Sequence, residues 1–146
     1  MNIKNKKNSQ CKLHLSVDSQ QIPCGTKFKT HEFPEKLGVF VNNCGKGYYS
    51  WCFWDVDAPS PDYLHWIVLN AESIHEGTDY LVYQPPTPPA GTGAHRYILG
   101  LWRHSLPVPV PNKGIEQRWG QDARALMEEL VGNAEWIGSS FIFVEN

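Results

Sequence analysis

Apolar and polar residues alternate in short runs along most of the chain. A period of two is typical of β-strands with one buried face, because successive side chains point to opposite sides of a sheet. The pattern predicts strands at residues 13–17, 38–41, 48–54, 65–70, 80–83, 95–102 and 136–144. The third of these strands is rich in aromatic residues and is predicted to be buried on both faces.

One segment near the C-terminus has helical spacing instead. Its apolar residues share one face of a helix. They are Ala123, Leu126, Met127, Leu130 and Val131. Asp122 is suited to cap the start of this helix and Gly132 to end it, and we interpret the stripe as core packing. Several short strands and one helix predict a mainly β (α+β) fold, a sandwich or a barrel.

The composition favours a single domain over residues 1–146. The 146 residues suit one domain, and 41% hydrophobic residues with a net charge of -2 exclude intrinsic disorder. The balanced charge leaves no basic surface of the kind that nucleic-acid-binding domains carry, so no nucleic-acid partner is expected. Residues 1–12 include four lysines. They are interpreted as a flexible terminus in preference to a basic arm for an anionic surface.

The apolar segments and the cysteines of the sequence predict the compartment of the protein. The first residues lack the apolar run of a signal peptide, and no stretch approaches the about 18 apolar residues of a membrane span. Membrane contact is therefore expected to be peripheral at most. Cys11, Cys24, Cys44 and Cys52 show no C-x-x-C spacing, and without a secretory signal they are expected to be four reduced thiols. These observations predict a cytoplasmic protein.

Common catalytic signatures are missing from the sequence. It contains no G-x-S-x-G, no phosphate-binding G-x-x-x-x-G-K-[ST] and no H-E-x-x-H. Gly91-Thr92-Gly93 begins like a dinucleotide-binding fingerprint, but Arg96 stands at the position of the third glycine. The segment also leads into a predicted strand, whereas the fingerprint opens a helix. We therefore discard a nucleotide-binding loop.

Polar side chains stand at the ends of three predicted strands. They are Asp55 and Asp57 after the third strand, His65 at the start of the fourth, and His95 and Tyr97 on one face of the sixth. If these ends converge, imidazole N–H and phenol O–H groups would bind a phosphate or carboxylate, with Asp55 orienting a histidine. Spacing alone favours turn residues and core histidines with internal partners.

At these residues the sequence resembles the phosphatidylethanolamine-binding protein family, which includes the Raf kinase inhibitor protein and plant flowering regulators. The matching segments are DVDAP at 55–59, HWIVLN at 65–70 and PPAGTGAHRY at 88–97, in the order and spacing of two family signatures. A weaker similarity covers 132–144. The resemblance implies an antiparallel β-sandwich with a small anion-binding pocket at one end of the sheet.

Carried over by position, the resemblance implies a set of ligand-binding residues. Side chains would line the pocket and the backbone of a proline-rich loop would form its rim. The set is Asp55, His65, His95 and Tyr97 for the lining and Thr87 and Pro88 for the rim. No metal ligand, catalytic residue or cofactor is implied.

The remaining signature residues are interpreted as scaffold. Asp57 belongs to the turn, and Arg96 is expected outside the pocket. The Ala58–Pro59 bond is a candidate cis peptide. Val56 stands where the family usually has proline and is expected to loosen the turn that aims Asp55.

Two other departures concern access to the pocket. Thr87 replaces a common glycine at the rim, so the approach of the backbone to a ligand would be altered. The sequence stops at Asn146, just after the last predicted strand, whereas animal members continue into a helix that partly covers the pocket. A more open pocket, as in short bacterial or viral members, is therefore expected.

The leading hypothesis is a binding module without enzymatic activity. It would recognise phosphate or phospholipid head groups such as phosphoethanolamine, with micromolar to millimolar affinity, and thereby regulate a partner. A kinase-type signalling partner cannot be identified from the sequence. If His65 or His95 must be protonated, affinity should rise as the pH falls through about 6.5.

Two alternatives use the same segments differently. Asp55, His65 and His95 would form a two-histidine, one-carboxylate metal site of the kind found in non-haem iron enzymes. In the other alternative, the pocket is vestigial and the chain is a protein-interaction domain. Its docking surface would then be the loop aromatics and the proline-rich segment 85–89.

Overall fold

The computed structural model describes residues 11–73 and 75–146. Within these residues the chain forms nine strands, one α-helix and a short 3-10 helix at Thr30–Glu32. The strands are β1 (Lys12–Val17), β2 (Gln20–Ile22), β3 (Lys27–Lys29), β4 (Gly38–Asn42), β5 (Tyr48–Asp55), β6 (Tyr63–Ala71), β7 (Thr78–Leu81), β8 (His95–His104) and β9 (Glu135–Glu145). The helix α1 is Ala123–Val131. The mainly β fold with one helix is confirmed.

The strands form two sheets. The smaller has the order β2-β1-β4 and the larger the order β3-β9-β8-β5-β6-β7. All pairs are antiparallel except β3 with β9, where Phe28 pairs with Val144. The antiparallel sandwich is therefore confirmed, with one parallel edge pair added to it.

The central strand β5 is buried on both faces from Ser50 onward, as the sequence predicts. One face of the large sheet packs against the small sheet, with Phe53 and Leu99 in that core. The opposite face packs against α1, where Met127 contacts a core that contains Cys52. With apolar neighbours on both sides, this strand fixes the position of its last residue.

The helix begins and ends where the sequence predicts. The carboxylate of Asp122 accepts a hydrogen bond from the N–H of Ala125 at 3.0 Å, which is an N-cap. Asp62 adds a second bond at this end, because its Oδ2 accepts from the N–H of Ala123 at 2.9 Å. Gly132 ends the helix with φ of 60°, a conformation that glycine adopts at little cost.

One sequence-based expectation about the backbone is wrong. The cis peptide bond among the described residues is Pro61–Asp62, whereas Ala58–Pro59 was expected. Of the terminus expected to be flexible, residues 1–10 lie outside the described residues. Lys12 starts β1, and Cys11 is covalently bonded.

The expectation of four reduced thiols is also wrong. Cys11 and Cys44 form a disulfide that joins the start of β1 to the turn after β4. These two strands are antiparallel neighbours, with Lys12 opposite Asn42, so the pairing of the strands brings the two sulfur atoms together. Cys24 is free and exposed, and Cys52 is free and buried. Burial raises the pKa of the Cys52 thiol well above its ordinary value, with a smaller effect from Asp62 in the same direction.

This pairing predicts a stepwise thiol count for protein made in an oxidising compartment. With a thiol-reactive disulfide reagent, we expect one reactive thiol in the native protein, Cys24, and two after denaturation, when Cys52 is exposed. Reduction should raise the count to four. The Cys44→Ser variant should show three thiols after denaturation alone, and four thiols in the unreduced wild type would contradict the disulfide.

No helix in the described part of the chain combines the length and the apolar character needed to cross a membrane.

Candidate functional site

The site lies at one end of the large sheet, where three neighbouring strands meet. In the antiparallel pairs, Asp55 at the end of β5 stands opposite Tyr97 near the start of β8. On its other side, Asp55 stands opposite Tyr63 at the start of β6, two residues before His65. The order β8-β5-β6 therefore brings together the four side chains that the sequence predicts to line a pocket.

Asp55 and His95 form the most direct contact of the site. The Nδ1 of His95 donates to Oδ2 of Asp55 at 2.8 Å, and both side chains are about 95% buried or more. The other carboxylate oxygen, Oδ1, accepts from the N–H of Asp57 at 2.8 Å. This second bond closes the turn and fixes the carboxylate, so Asp55 orients the imidazole as predicted.

Val56 does not loosen this turn. Its N–H donates to the carbonyl of Arg96 at 3.2 Å, a bond that the proline usual at this position could not make. Val56 thus ties the turn to β8, and the expected weakening is corrected.

His95 has a second partner in the loop that precedes its strand. Its Nε2 lies 2.8 Å from Oγ1 of Thr92. The Thr92 Oγ1 also lies 2.6 Å from the carbonyl oxygen of Pro89. Both ring nitrogens of His95 are therefore engaged by groups of the protein.

His65 presents one free nitrogen. Its Nδ1 lies 2.7 Å from the carbonyl oxygen of Gln84, which only accepts, so Nδ1 carries the proton. No hydrogen bond from the described residues reaches Nε2. Three aromatic rings surround the imidazole, with centroids at 4.8 Å for Tyr63, 5.2 Å for Tyr97 and 6.2 Å for Phe53.

This apolar setting lowers the pKa of His65 to about 4, because burial disfavours the charged imidazolium. The Gln84 carbonyl and the Asp55 carboxylate oppose the shift, and Arg118 adds to it slightly. At neutral pH the ring is therefore neutral, and Nε2 offers a lone pair. The expected titration near pH 6.5 is thus corrected for this histidine.

Tyr97 supplies a hydroxyl that stays protonated. Burial, followed by the nearby Asp55 carboxylate, raises the pKa of Tyr97. Its ring stacks near that of His95, with centroids 6.5 Å apart. The phenol is thus a neutral hydrogen-bond donor in a dry setting.

The four side chains of the site are buried. Asp55, His65, His95 and Tyr97 are each only 1–4% exposed. At the rim, Thr87 is exposed and Pro88 is buried. The side-chain Nδ2 of Asn146 donates to the Pro88 carbonyl at 3.1 Å, so Asn146 fastens the rim.

Asp57 and Arg96 lie outside the site, as predicted. Two guanidinium nitrogens of Arg96 donate to the two carboxylate oxygens of Asp57, at 2.9 and 2.8 Å, and the backbone N–H of Arg96 adds a third bond at 2.8 Å. This fork lowers the pKa of Asp57, chiefly through the side-chain hydrogen bonds. Both residues fasten the Asp55 turn to β8.

The described residues contain no cluster of three or more histidine, cysteine, aspartate or glutamate side chains placed to hold a metal ion. In particular, Asp55 binds His95 directly, and the Nδ1 of His65 is engaged by Gln84. The metal-triad alternative thus has no preformed site among the residues that it named.

Sequence reasoning missed three residues of the site. Gln84 acts through its backbone carbonyl, which leaves no trace in side-chain chemistry. Thr92 lay in the discarded glycine segment. Arg118, from the long segment between β8 and α1, donates to the carbonyls of Leu64 and His65 at 3.1 and 3.2 Å. No periodicity marked that segment.

Comparison with known proteins adds independent findings. The family model described as "Phosphatidylethanolamine-binding protein" matches residues 14–141. The 26 kDa secreted antigen of Toxocara canis is 30% identical over 103 residues, which are 65% of this chain. The match spans 39% of that antigen's length, so the chain corresponds to less than half of this curated relative.

Solved structures agree in fold. The phosphatidylethanolamine-binding protein of Plasmodium vivax has a TM-score of 0.69 at 20% identity, over 93% of this chain and 85% of that one. A carboxypeptidase Y inhibitor, solved with its cognate proteinase, has a TM-score of 0.72 at 18% identity, over 93% and 83%. At these identities the likeness concerns the fold alone.

Proposed function

The chain belongs to the phosphatidylethanolamine-binding protein family, and we propose that it is a binding module, without enzymatic activity, for phosphate-bearing head groups. The site at the end of β5, β6 and β8 is the binding site. Its ligands are phosphomonoesters or phosphodiesters of the phosphoethanolamine kind, held with micromolar to millimolar affinity.

The observation that carries this proposal is the convergence of Asp55, His65, His95 and Tyr97 at one sheet end. They offer hydrogen-bonding groups of both kinds: the Tyr97 phenol O–H as a donor and the His65 Nε2 lone pair as an acceptor. A phosphate group accepts at several oxygens and, when protonated, donates at one. The hydrogen-bond donors and acceptors of the ligand are therefore complementary to those of the site.

The acceptor at His65 makes the proposal specific about protonation. A phosphomonoester with one proton can donate it to Nε2, whereas the fully ionised form has no proton to give and meets the Asp55 carboxylate. Phosphomonoesters lose this proton with a pKa of about 6. Affinity for a monoester should therefore rise as the pH falls from 7.5 to 5.5, through titration of the ligand. A phosphodiester has no such proton and should bind equally across this range.

Histidine side-chain NMR tests the proposal with three probes: inorganic phosphate, O-phosphoethanolamine and glycerophosphoethanolamine. We expect shifts at His65 and His95 with all three and a pH-dependent affinity for O-phosphoethanolamine. Binding of the diester glycerophosphoethanolamine would indicate a lipid-type head group as ligand. Binding of O-phosphoethanolamine without it would indicate a free phosphomonoester.

Four other histidines serve as internal controls, because they lie outside the site. They are His14, His31, His75 and His104. Equal shifts at these residues would indicate unspecific binding, and flat titrations of His65 and His95 with all three probes at 50 mM would refute the proposed function.

Regulation of a protein partner by the bound head group is part of this proposal.

The compartment predicted for the protein needs revision. Thiols stay reduced in the cytosol, so the Cys11–Cys44 disulfide weighs against the cytoplasmic location predicted from the sequence. The Toxocara canis relative is named as a secreted antigen. An oxidising compartment is the better proposal, and the same thiol count, made on protein isolated from its native cells, tests it.

A further inference from the structure

One residue of the loop 90–94 lies directly against the buried functional site. Asp55, His65, His95 and Tyr97 are almost completely buried, while all five loop residues are exposed. A ligand that reaches these side chains must therefore displace part of the protein. The contacts of Thr92 show which part.

Thr92 engages the nitrogen of His95 that would otherwise face a ligand. Its Oγ1 lies 2.8 Å from Nε2 and 2.6 Å from the carbonyl oxygen of Pro89. A hydroxyl, like a protonated phosphate oxygen, can either donate or accept a hydrogen bond at this nitrogen. The hydroxyl therefore stands in for a ligand oxygen.

The loop has a rigid base and a free tip. Four prolines precede it, and two of them, Pro86 and Pro88, are buried. At the tip, Gly91 and Gly93 have φ of +80° and +79°, and a Cβ at either position would meet no atom within 4 Å. The tip thus projects from the body of the protein. Apart from its contact with Pro89 in the same turn, the side-chain hydrogen bond of Thr92 among the described residues is the one to His95. Gly91 and Gly93 flank Thr92 and allow the backbone to change conformation there.

We propose that Thr92 occupies the ligand-oxygen position on His95, so that the loop 90–94 is a lid that the bound head group displaces. This inference rests on the proposed function. It makes Thr92 a competitor of the ligand, not a ligand-binding residue. Its removal should therefore strengthen binding, whereas removal of a residue that contacts the ligand weakens it.

The Thr92→Val variant removes the hydroxyl and keeps the shape of the side chain. Breaking one hydrogen bond of this kind corresponds to about two- to tenfold in an equilibrium constant. We expect the variant to bind O-phosphoethanolamine about fivefold more tightly than the wild type, measured by histidine NMR at constant pH. The 15N signal of His95 Nε2 should also move in the ligand-free variant.

Thr92→Ser is the matched control, because it restores the hydroxyl; it should bind within about twofold of the wild type. Equal or weaker binding by Thr92→Val, with binding by the wild type intact, would overturn the lid alone. Absence of binding by both the wild type and Thr92→Val would overturn the proposed function and the lid with it. The two failures are thus distinct.

Discussion

Replacing Asp55 with alanine is expected to weaken binding of O-phosphoethanolamine at least tenfold and to lower the free energy of unfolding by about 2–4 kcal/mol. The carboxylate is only 4% exposed and has two partners, the Nδ1 of His95 and the N–H of Asp57. Alanine would leave both donors without an acceptor in a dry interior. The imidazole would also lose the group that orients it.

Urea unfolding and histidine NMR measure the two effects separately. Asp57→Ala is the matched control, because this carboxylate belongs to the same turn but pairs with the exposed Arg96. It should cost about 1 kcal/mol or less and leave ligand affinity unchanged. If Asp55→Ala and Asp57→Ala behave alike in both assays, Asp55 has no special place in the site.

The stability of the protein should fall with acidification because of one buried histidine. The pKa of His65 is about 4 in the folded protein and about 6.5 in an unfolded chain. As the pH falls from about 6.5 to about 4, the unfolded chain binds a proton at His65, whereas the folded protein does not. The free energy of unfolding should therefore drop by about 3 kcal/mol across this window. Below it, His65 should cause no further loss.

His65→Asn isolates this contribution, since an asparagine Nδ2 can replace the imidazole Nδ1 as donor to the Gln84 carbonyl but does not titrate. Urea unfolding of both proteins at pH 4 to 7 gives the comparison. The difference between their free energies of unfolding should change by about 3 kcal/mol over the window. Parallel curves would show that His65 titrates normally in the folded protein.

Most of the fold could be predicted from the sequence, because its long elements are marked by periodicity. The strands β5, β6, β8 and β9 and the helix α1 were all predicted within a few residues. The short strands β2 and β3 were missed. Three residues such as KFK carry no periodic signal, and β3 exists through its pairing with β9.

The site divides in the same way. Its four lining side chains were predicted through motifs, and the register of β5 with its neighbours brings them together. The contacts that set their chemistry were not predicted, since they come from a backbone carbonyl at Gln84 and a loop hydroxyl at Thr92. The disulfide was missed for a related reason. Cys11 and Cys44 are 33 positions apart, and only the pairing of β1 with β4 places them side by side.

The bond between Asn146 and the Pro88 carbonyl has a practical consequence for experiments on this protein. A purification handle or a surface-attachment group placed after Asn146 would begin beside the rim of the site. It would compete with the bond that fastens the rim, and it would crowd the approach of any vesicle or probe.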